Sequence, residues 1–235
     1  MKDILDMFQE ETSVAGLWQL VREYYHRNGI DKISYHHLER DESGRSNIAV
    51  TADGFPEDWV CHYIECKLYL VDPITELAQS TIRPFLWSDI EKLAKLSPDQ
   101  LGYLRDMADA KLGDGLAFQV YGPGFRNGYI GLGFAESNMH PSTKKIHEFQ
   151  VVAQAAHVRY CELVPLGPKP SELSPREREI LQWIARGKSN SAIASILSVS
   201  PHTIDTMVRR IFDKLKVSDR TTAAIQGVGS GLVLP

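Results

Sequence analysis

Cysteine is scarce in this chain: three in 235 residues, at Cys61, Cys66 and Cys161. Their number is odd and no pair has Cys-x-x-Cys spacing, so neither a disulfide framework nor a zinc site is indicated. No metal site is expected. Long apolar runs are missing as well, none approaching the ~18 residues that read as a membrane span, and no membrane partner is expected. The opening residues interleave Lys2, Asp3, Asp6, Glu10 and Glu11 with apolar ones, unlike a secretory signal, so a cytoplasmic location is expected. The sequence has no internal repeat and no low-complexity tract.

Catalytic constellations are equally absent. The glycine-rich segment 122–133 has neither Gly-x-Gly-x-x-Gly nor Walker spacing and reads as a hairpin. No Gly-x-Ser-x-Gly elbow occurs, and the eight histidines show neither His-x-x-x-His nor His-Glu-x-x-His. His36 and His37 lie on an expected strand, where neighbouring side chains face opposite ways and cannot chelate one metal. An enzyme is not expected, nor a cofactor.

What the chain does have is two parts of opposite charge. Residues 1–165 carry 16 Lys and Arg against 24 Asp and Glu, a balance of −8, whereas residues 166–235 carry 10 against 6, a balance of +4. Contact with nucleic acid is therefore expected in the C-terminal part. Between the parts, Val164 to Ser171 holds three prolines and a glycine, which continue neither a helix nor a central strand. The expected organisation is a domain over 1–164, a linker over 165–172 and a small domain over 173–235.

Three capped helices follow the linker. Ser174 and Glu177 form a Ser-x-x-Glu capping box with Pro175 at the first helical position. Ile180, Leu181, Ile184 and Ala185 then fall on one face, and Gly187 stands where a left-handed cap is wanted. Ser189 or Asn190 starts a second, short helix with Ile193, Ala194, Ile196 and Leu197. Ser200-Pro201 starts a third, whose Ile204, Met207, Val208, Ile211 and Leu215 make a single apolar stripe. Its other side carries His202, Thr203, Asp205, Thr206, Arg209, Arg210 and Lys214. Two short helices behind a third with an exposed polar face form a helix-turn-helix, which places the third helix in the major groove of double-stranded DNA.

The N-terminal part alternates helical and extended patterns. Helices are expected over most of 3–28, over 56–67 and 98–112, and from Ser142 to Leu163. Strands are expected at 33–38 and 47–50 around a turn at Asp41-Glu42-Ser43-Gly44, at 85–87, and at 118–121 and 129–134. Helices before and after an antiparallel sheet give an α+β fold, an α-β-α sandwich, joined to a small all-α domain. Within it, Trp59 and Tyr63 share a helix face, and each joins a large ring to one hydrogen-bonding atom. With Asp72, Trp87 and Tyr103 they suit a pocket for a mostly apolar small molecule. An ordinary core would accept the same residues.

These residues carry a resemblance. Glu177, Leu181 and Gly187 stand at the spacing of the LuxR-type helix-turn-helix over 173–225, departing from it at Met207, usually histidine, and Arg210, often asparagine. Trp59-x-x-x-Tyr63, Asp72-Pro73, Trp87 and Gly115 resemble the autoinducer-binding domain of the same family. The resemblance implies a quorum-sensing transcription factor, usually a homodimer, that binds an N-acyl-homoserine lactone and an inverted-repeat operator, with RNA polymerase as a further partner. It implies that the Trp59 N–H meets the lactone carbonyl and the Asp72 carboxylate the amide N–H. Tyr63, Trp87 and Tyr103 would line the acyl end, with Ile74 in the same pocket, and Gly115 would serve backbone geometry. Phe55 and Gly133 stand where relatives carry hydroxyl donors, leaving the amide carbonyl without its usual partner. Thr203, Asp205, Thr206, Arg209, Arg210 and Lys214 would face DNA. The remaining alternatives are a regulator of this fold answering another small molecule or none, and an enzyme with an accessory DNA-binding domain.

Overall fold

In a computed structural model of the chain, the described residues are 2–40, 46–136, 139, 141–164 and 172–234. They form two compact units, the first of residues up to 122 together with 126–164, the second of residues 123–125 together with those from 172 onward. The turn expected at 41–44 and, apart from Glu172, the linker expected over 165–172 lie outside the described residues.

The first unit is a three-layer sandwich. Its helices are α1 (Lys2–Glu10), α2 (Val14–His26), α3 (Glu57–Glu65), α4 (Pro73–Ser80), α5 (Ile90–Leu93), α6 (Pro98–Asp109) and α7 (Thr143–Leu163). Its strands are β1 (Ile30–Arg40), β2 (Ser46–Asp53), β3 (Phe85–Leu86), β4 (Gly115–Val120) and β5 (Gly128–Phe134), in the order β2-β1-β5-β4-β3 with every pairing antiparallel. Alternation along the strands sends successive side chains to opposite faces. Ile33 and Tyr35 of β1, with Ile130 and Leu132 of β5, pack under α1, α2 and α7 together with Phe8, Leu17, Tyr25 and Phe149. Tyr129 of β5 and Ala117 of β4 face α3, α4 and α6 in a second core with Trp59, Ile74 and Tyr103.

Several short elements of this unit depart from the sequence reading, among them α5 and a 3-10 helix at Leu68–Leu70, neither of which was expected. Residues 73–80 form α4, capped by Asp72, where no helix was expected, and residues 87–89 turn as a 3-10 helix rather than extend β3. A short helix shows little periodicity, and Asp72-Pro73 is a cap-plus-proline start that a pocket reading alone does not reveal.

The second unit holds α8 (Pro175–Ala185), α9 (Asn190–Leu197), α10 (Pro201–Leu215) and α11 (Arg220–Gly229). Both partners of the Ser174–Glu177 capping box are made, Ser189 rather than Asn190 caps α9, and Gly187 lies at φ +73° after α8. The fourth helix, α11, was not expected; Asp219 caps it, and Ala223 joins the core built on Ile180, Leu181, Ile193, Ile204 and Ile211.

Candidate ligand cleft and nucleic-acid interface

A cleft lies between the sheet and the helices α3, α4 and α6. Trp59 and Tyr63 reach it from α3, Asp72 and Ile74 from the start of α4, and Tyr103 from α6, with Phe55 and Trp87 beside them. The rings nearly close it: Trp59 and Tyr103 centroids are 5.9 Å apart, Tyr63 and Tyr103 6.2 Å, and the remaining cavity is about 50 Å³. A ligand larger than a few waters must move these side chains to enter.

Asp72 is the polar centre of this cleft, 5 % exposed. Its Oδ1 accepts from the Ile74 N–H at 2.8 Å and the Thr75 N–H at 3.4 Å, capping α4, and its Oδ2 accepts from the Tyr63 hydroxyl at 2.9 Å. Burial pushes its carboxyl up to about 6, and the hydrogen bonds from Tyr63, Ile74, Thr75 and Tyr103 oppose but do not cancel that rise. The unfolded chain therefore ionises at lower pH than the folded one. Between about pH 4 and 6 the unliganded fold loses stability as pH rises, on the order of 3 kcal/mol for a two-unit shift. If ionised Asp72 accepts from the ligand, affinity should fall about tenfold from pH 7 to pH 5, as the ionised fraction drops from about 0.9 to 0.1. A titration series across that range checks this; a flat profile removes Asp72 from the ligand's contacts.

The second polar feature is a donor. The Trp87 indole N–H is buried without an aligned acceptor among the described residues, although the Tyr129 hydroxyl stands close by. An unmade hydrogen bond of this kind costs about 1–3 kcal/mol, which a ligand carbonyl would recover. The six-membered ring of Trp87 approaches the sheet closely because the strands there carry glycine. Gly115 pairs with Gly133, and a Cβ on Gly115 would come within 2.5 Å of the Leu132 carbonyl and 2.8 Å of Trp87 Cζ2. At Gly133 it would come within 2.9 Å of Lys32 Cβ and 3.2 Å of Trp87 Cη2. Gly115 is absent from the positive-φ positions, so what requires glycine there is the close approach of the β5 backbone and the Trp87 indole. Gly115→Ala should lower unfolding free energy by about 1–3 kcal/mol through overpacking. Denaturant titration would show it, and an unchanged midpoint would mean the strand yields freely.

In the second unit, the polar side of α10 is partly committed within the domain. Lys214 donates to Glu177 Oε2 at 2.7 Å and to the Glu172 carbonyl at 3.2 Å. Burial would raise the Glu177 carboxyl, but Lys214 and the Ser174 cap bonds outweigh it and hold it below its ordinary value. Asp205 Oδ1 accepts from the Asn190 side-chain amide at 2.7 Å, and Asn190 Oδ1 in turn accepts from Arg220 at 2.8 Å. This chain ties α9 and α11 to the exposed face of α10. Thr203 is drawn into the Ser200 cap, and the Thr206 hydroxyl donates back to the His202 carbonyl. Arg209 and Arg210 are exposed and form no ion pair or hydrogen bond among the described residues. They are the cations of this helix left available for phosphate or base.

Comparison with known proteins accords with both halves. Residues 13–160 match the family described as "Autoinducer binding domain", and residues 171–226 match "Bacterial regulatory proteins, luxR family". The chain belongs to the LuxR family. It is a quorum-sensing transcriptional regulator of that type, with an autoinducer-binding domain and a helix-turn-helix domain. The quorum sensing-dependent transcriptional regulator RpaR of Rhodopseudomonas palustris is 29% identical over 185 residues, covering 77% of this chain and 74% of its own. The Escherichia coli SdiA crystal structure shares the fold with a TM-score of 0.75 and 20% identity, covering 100% of this chain and 98% of that one. The structure of CepR2 from Burkholderia cenocepacia, described as an N-acylhomoserine lactone-dependent LuxR family factor, aligns at a TM-score of 0.53 and 17% identity. It covers 71% of this chain and 95% of that one.

In this LuxR-type regulator one cavity brings together Phe55, Trp59, Tyr63, Asp72, Ile74, Trp87 and Tyr103, with Gly115 and Gly133 beneath the Trp87 ring. Sequence reasoning missed the sheet's share of that cavity. Ser34 and His36 of β1 and Tyr129 of β5 line it as well, the His36 and Tyr129 rings standing 5.0 Å apart. Burial, and then the neighbouring His37, lower the His36 imidazole to about 3, so it is a neutral wall. The signal was the two-residue alternation: 34 and 36 share a strand face, as do 129, 131 and 133. Among the described residues no helix is long and apolar enough to cross a membrane, and no group of His, Cys, Asp and Glu could hold a metal.

Proposed function

We propose that this LuxR-type regulator binds an N-acyl-homoserine lactone in the cleft and, as a cytoplasmic homodimer, an inverted-repeat operator through α10. The observation that carries the ligand assignment is the meeting, in one aromatic cavity, of a buried carboxylate at Asp72 and a buried indole N–H at Trp87 that lacks an aligned acceptor. An ionised carboxylate only accepts and an indole only donates. A ligand that offers one amide N–H and two carbonyls along a mostly apolar body satisfies both. Asp72 takes the amide N–H, Trp59 donates to the lactone carbonyl, and Trp87 supplies the donor for the acyl carbonyl that Phe55 and Gly133 cannot. The likeness to CepR2, described as dependent on such lactones, supports the same chemistry.

The DNA assignment rests on the match of 171–226 to the luxR family and on Arg209 and Arg210, exposed and unpaired among the described residues. A dimer reading two half-sites places them about one helical turn apart, 10–10.5 base pairs centre to centre.

Mass spectrometry of the organic extract of protein expressed with candidate lactones tests the ligand directly, and melting curves quantify it. A ligand that binds only the folded state at 100 times its Kd adds about 2.7 kcal/mol of stability. The melting temperature should rise with lactone concentration. No lactone in the extract and no shift with any acyl chain would favour a regulator of the same fold answering a different small molecule.

A further inference from the structure

The opposite face of the sheet carries a second cavity. It lies between β1, α2 and α7 and measures about 400 Å³, against about 50 Å³ for the lactone cleft. Protein interiors close-pack with few voids larger than a water, and ligand pockets begin at about 300 Å³. The floor is Ile33, which is fully buried, and Ile130; Leu17, Val21 and Ala153 form the walls. Such depth suits an inserted small molecule better than a flat partner surface.

One end of this cavity is polar. Tyr35, His37, His157 and Tyr160 cluster there, with the Tyr35 and His37 rings stacked at 4.4 Å and His37 and Tyr160 at 4.7 Å. His157 donates from Nε2 to the Arg126 carbonyl at 2.6 Å, which leaves its Nδ1 to accept from the Tyr35 hydroxyl at 2.7 Å. Behind Tyr160, with its guanidinium carbon 5.6 Å from the ring centroid, sits Arg126, only 5 % exposed. Arg126 donates to the Cys161 carbonyl at 2.8 Å, its Nε has no hydrogen-bond partner, and it forms no ion pair among the described residues. No acidic side chain lines the cavity. A buried cation without a counter-charge makes that end attractive to an anion. The lactone cleft, centred on a carboxylate, has the opposite preference.

From this juxtaposition we propose that the first unit holds a second ligand site, for an amphipathic monocarboxylate. Its hydrocarbon lies along Leu17, Val21 and Ala153, and its carboxylate lies at the Tyr35–His157 end within the field of Arg126. The site is separate from the lactone cleft and does not depend on the lactone assignment.

Decanoic acid bearing a diazirine, photolysed on the full-length protein and mapped by peptide mass spectrometry, tests the location. Label is expected within 14–25 or 153–160 and should be displaced by excess decanoate. Label confined to 55–74, or not displaced, overturns the proposal. Calorimetry with decanoate and decanol then tests the head group. Removal of the charge should weaken binding about tenfold or more, the range of a charged hydrogen bond, whereas equal affinities overturn the carboxylate assignment. Ala156→Phe, which grows into the cavity from α7, should weaken decanoate at least tenfold, and unchanged affinity in the folded variant overturns the site. The photolabel on the wild-type protein decides the question even where that variant fails to fold.

Discussion

Replacing Asp72 by serine is expected to weaken lactone binding about 10- to 150-fold while leaving the unliganded protein nearly as stable as before, since a hydrogen bond to a charged acceptor is worth about 1.5–3 kcal/mol. The choice of serine matters because Asp72 does two things. It caps α4 through the Ile74 and Thr75 N–H groups, and it presents a carboxylate to the cleft. Serine is as good a cap as aspartate, so the helix start survives. Removing the buried charge relieves on the order of 3 kcal/mol of desolvation at neutral pH. The Tyr63 hydroxyl then loses its acceptor, which costs about 1–3 kcal/mol and largely offsets the relief. Asp72→Ala should lose the same affinity and also destabilise the fold by about 0.5–2 kcal/mol through the missing cap. Dose-response curves and melts of both variants separate the roles. A serine variant with wild-type lactone response would reduce Asp72 to a cap.

That double role shows where the sequence was legible and where it was not. Ser174-Pro175 and Ser200-Pro201 were read as helix starts because long apolar periodicities follow them, and α8 and α10 begin there. Asp72-Pro73 has the same chemistry, but only eight helical residues follow it, too few for a stripe to stand out. The three-layer arrangement followed from the order of helical and extended patterns. The cleft's helical wall followed from Trp59 and Tyr63, four residues apart. Its sheet wall did not: Ser34, His36 and Tyr129 enter only once register sets which alternate face meets the helices. The glycines at 115 and 133 likewise needed the structure, since the reason for them is the indole of a residue far away in sequence. On α10 the stripe of apolar residues was plain, whereas the partners of Asp205 and Lys214 lie on other helices.

Those partners sharpen the expectation for the DNA-reading helix. With Lys214 held by Glu177 and Asp205 by Asn190, the charge on α10 free to meet a duplex resides in Arg209 and Arg210. Successive helical positions point about 100° apart, so the two arginines cannot serve the same contact. Arg209 falls on the line of Asp205 and His202, one turn below Asp205, and is expected to reach a guanine edge. Arg210 lies on the flank with Thr206 and Thr203 and is expected to hold phosphate. Arg209→Ala should then cost about 1–3 kcal/mol, roughly 5- to 150-fold, and relax preference at one symmetric pair of operator positions. Arg210→Ala should weaken binding to all sequences alike and reduce the slope of log affinity against log salt by about 0.9 per site. Asn190→Ala, which releases Asp205 without touching either arginine, should blur preference at positions next to those read by Arg209 while leaving the salt slope unchanged. Titrations against a randomised operator library at two salt concentrations distinguish the three outcomes. If neither arginine variant changes affinity, preference or salt slope, α10 is not the element that reads the operator.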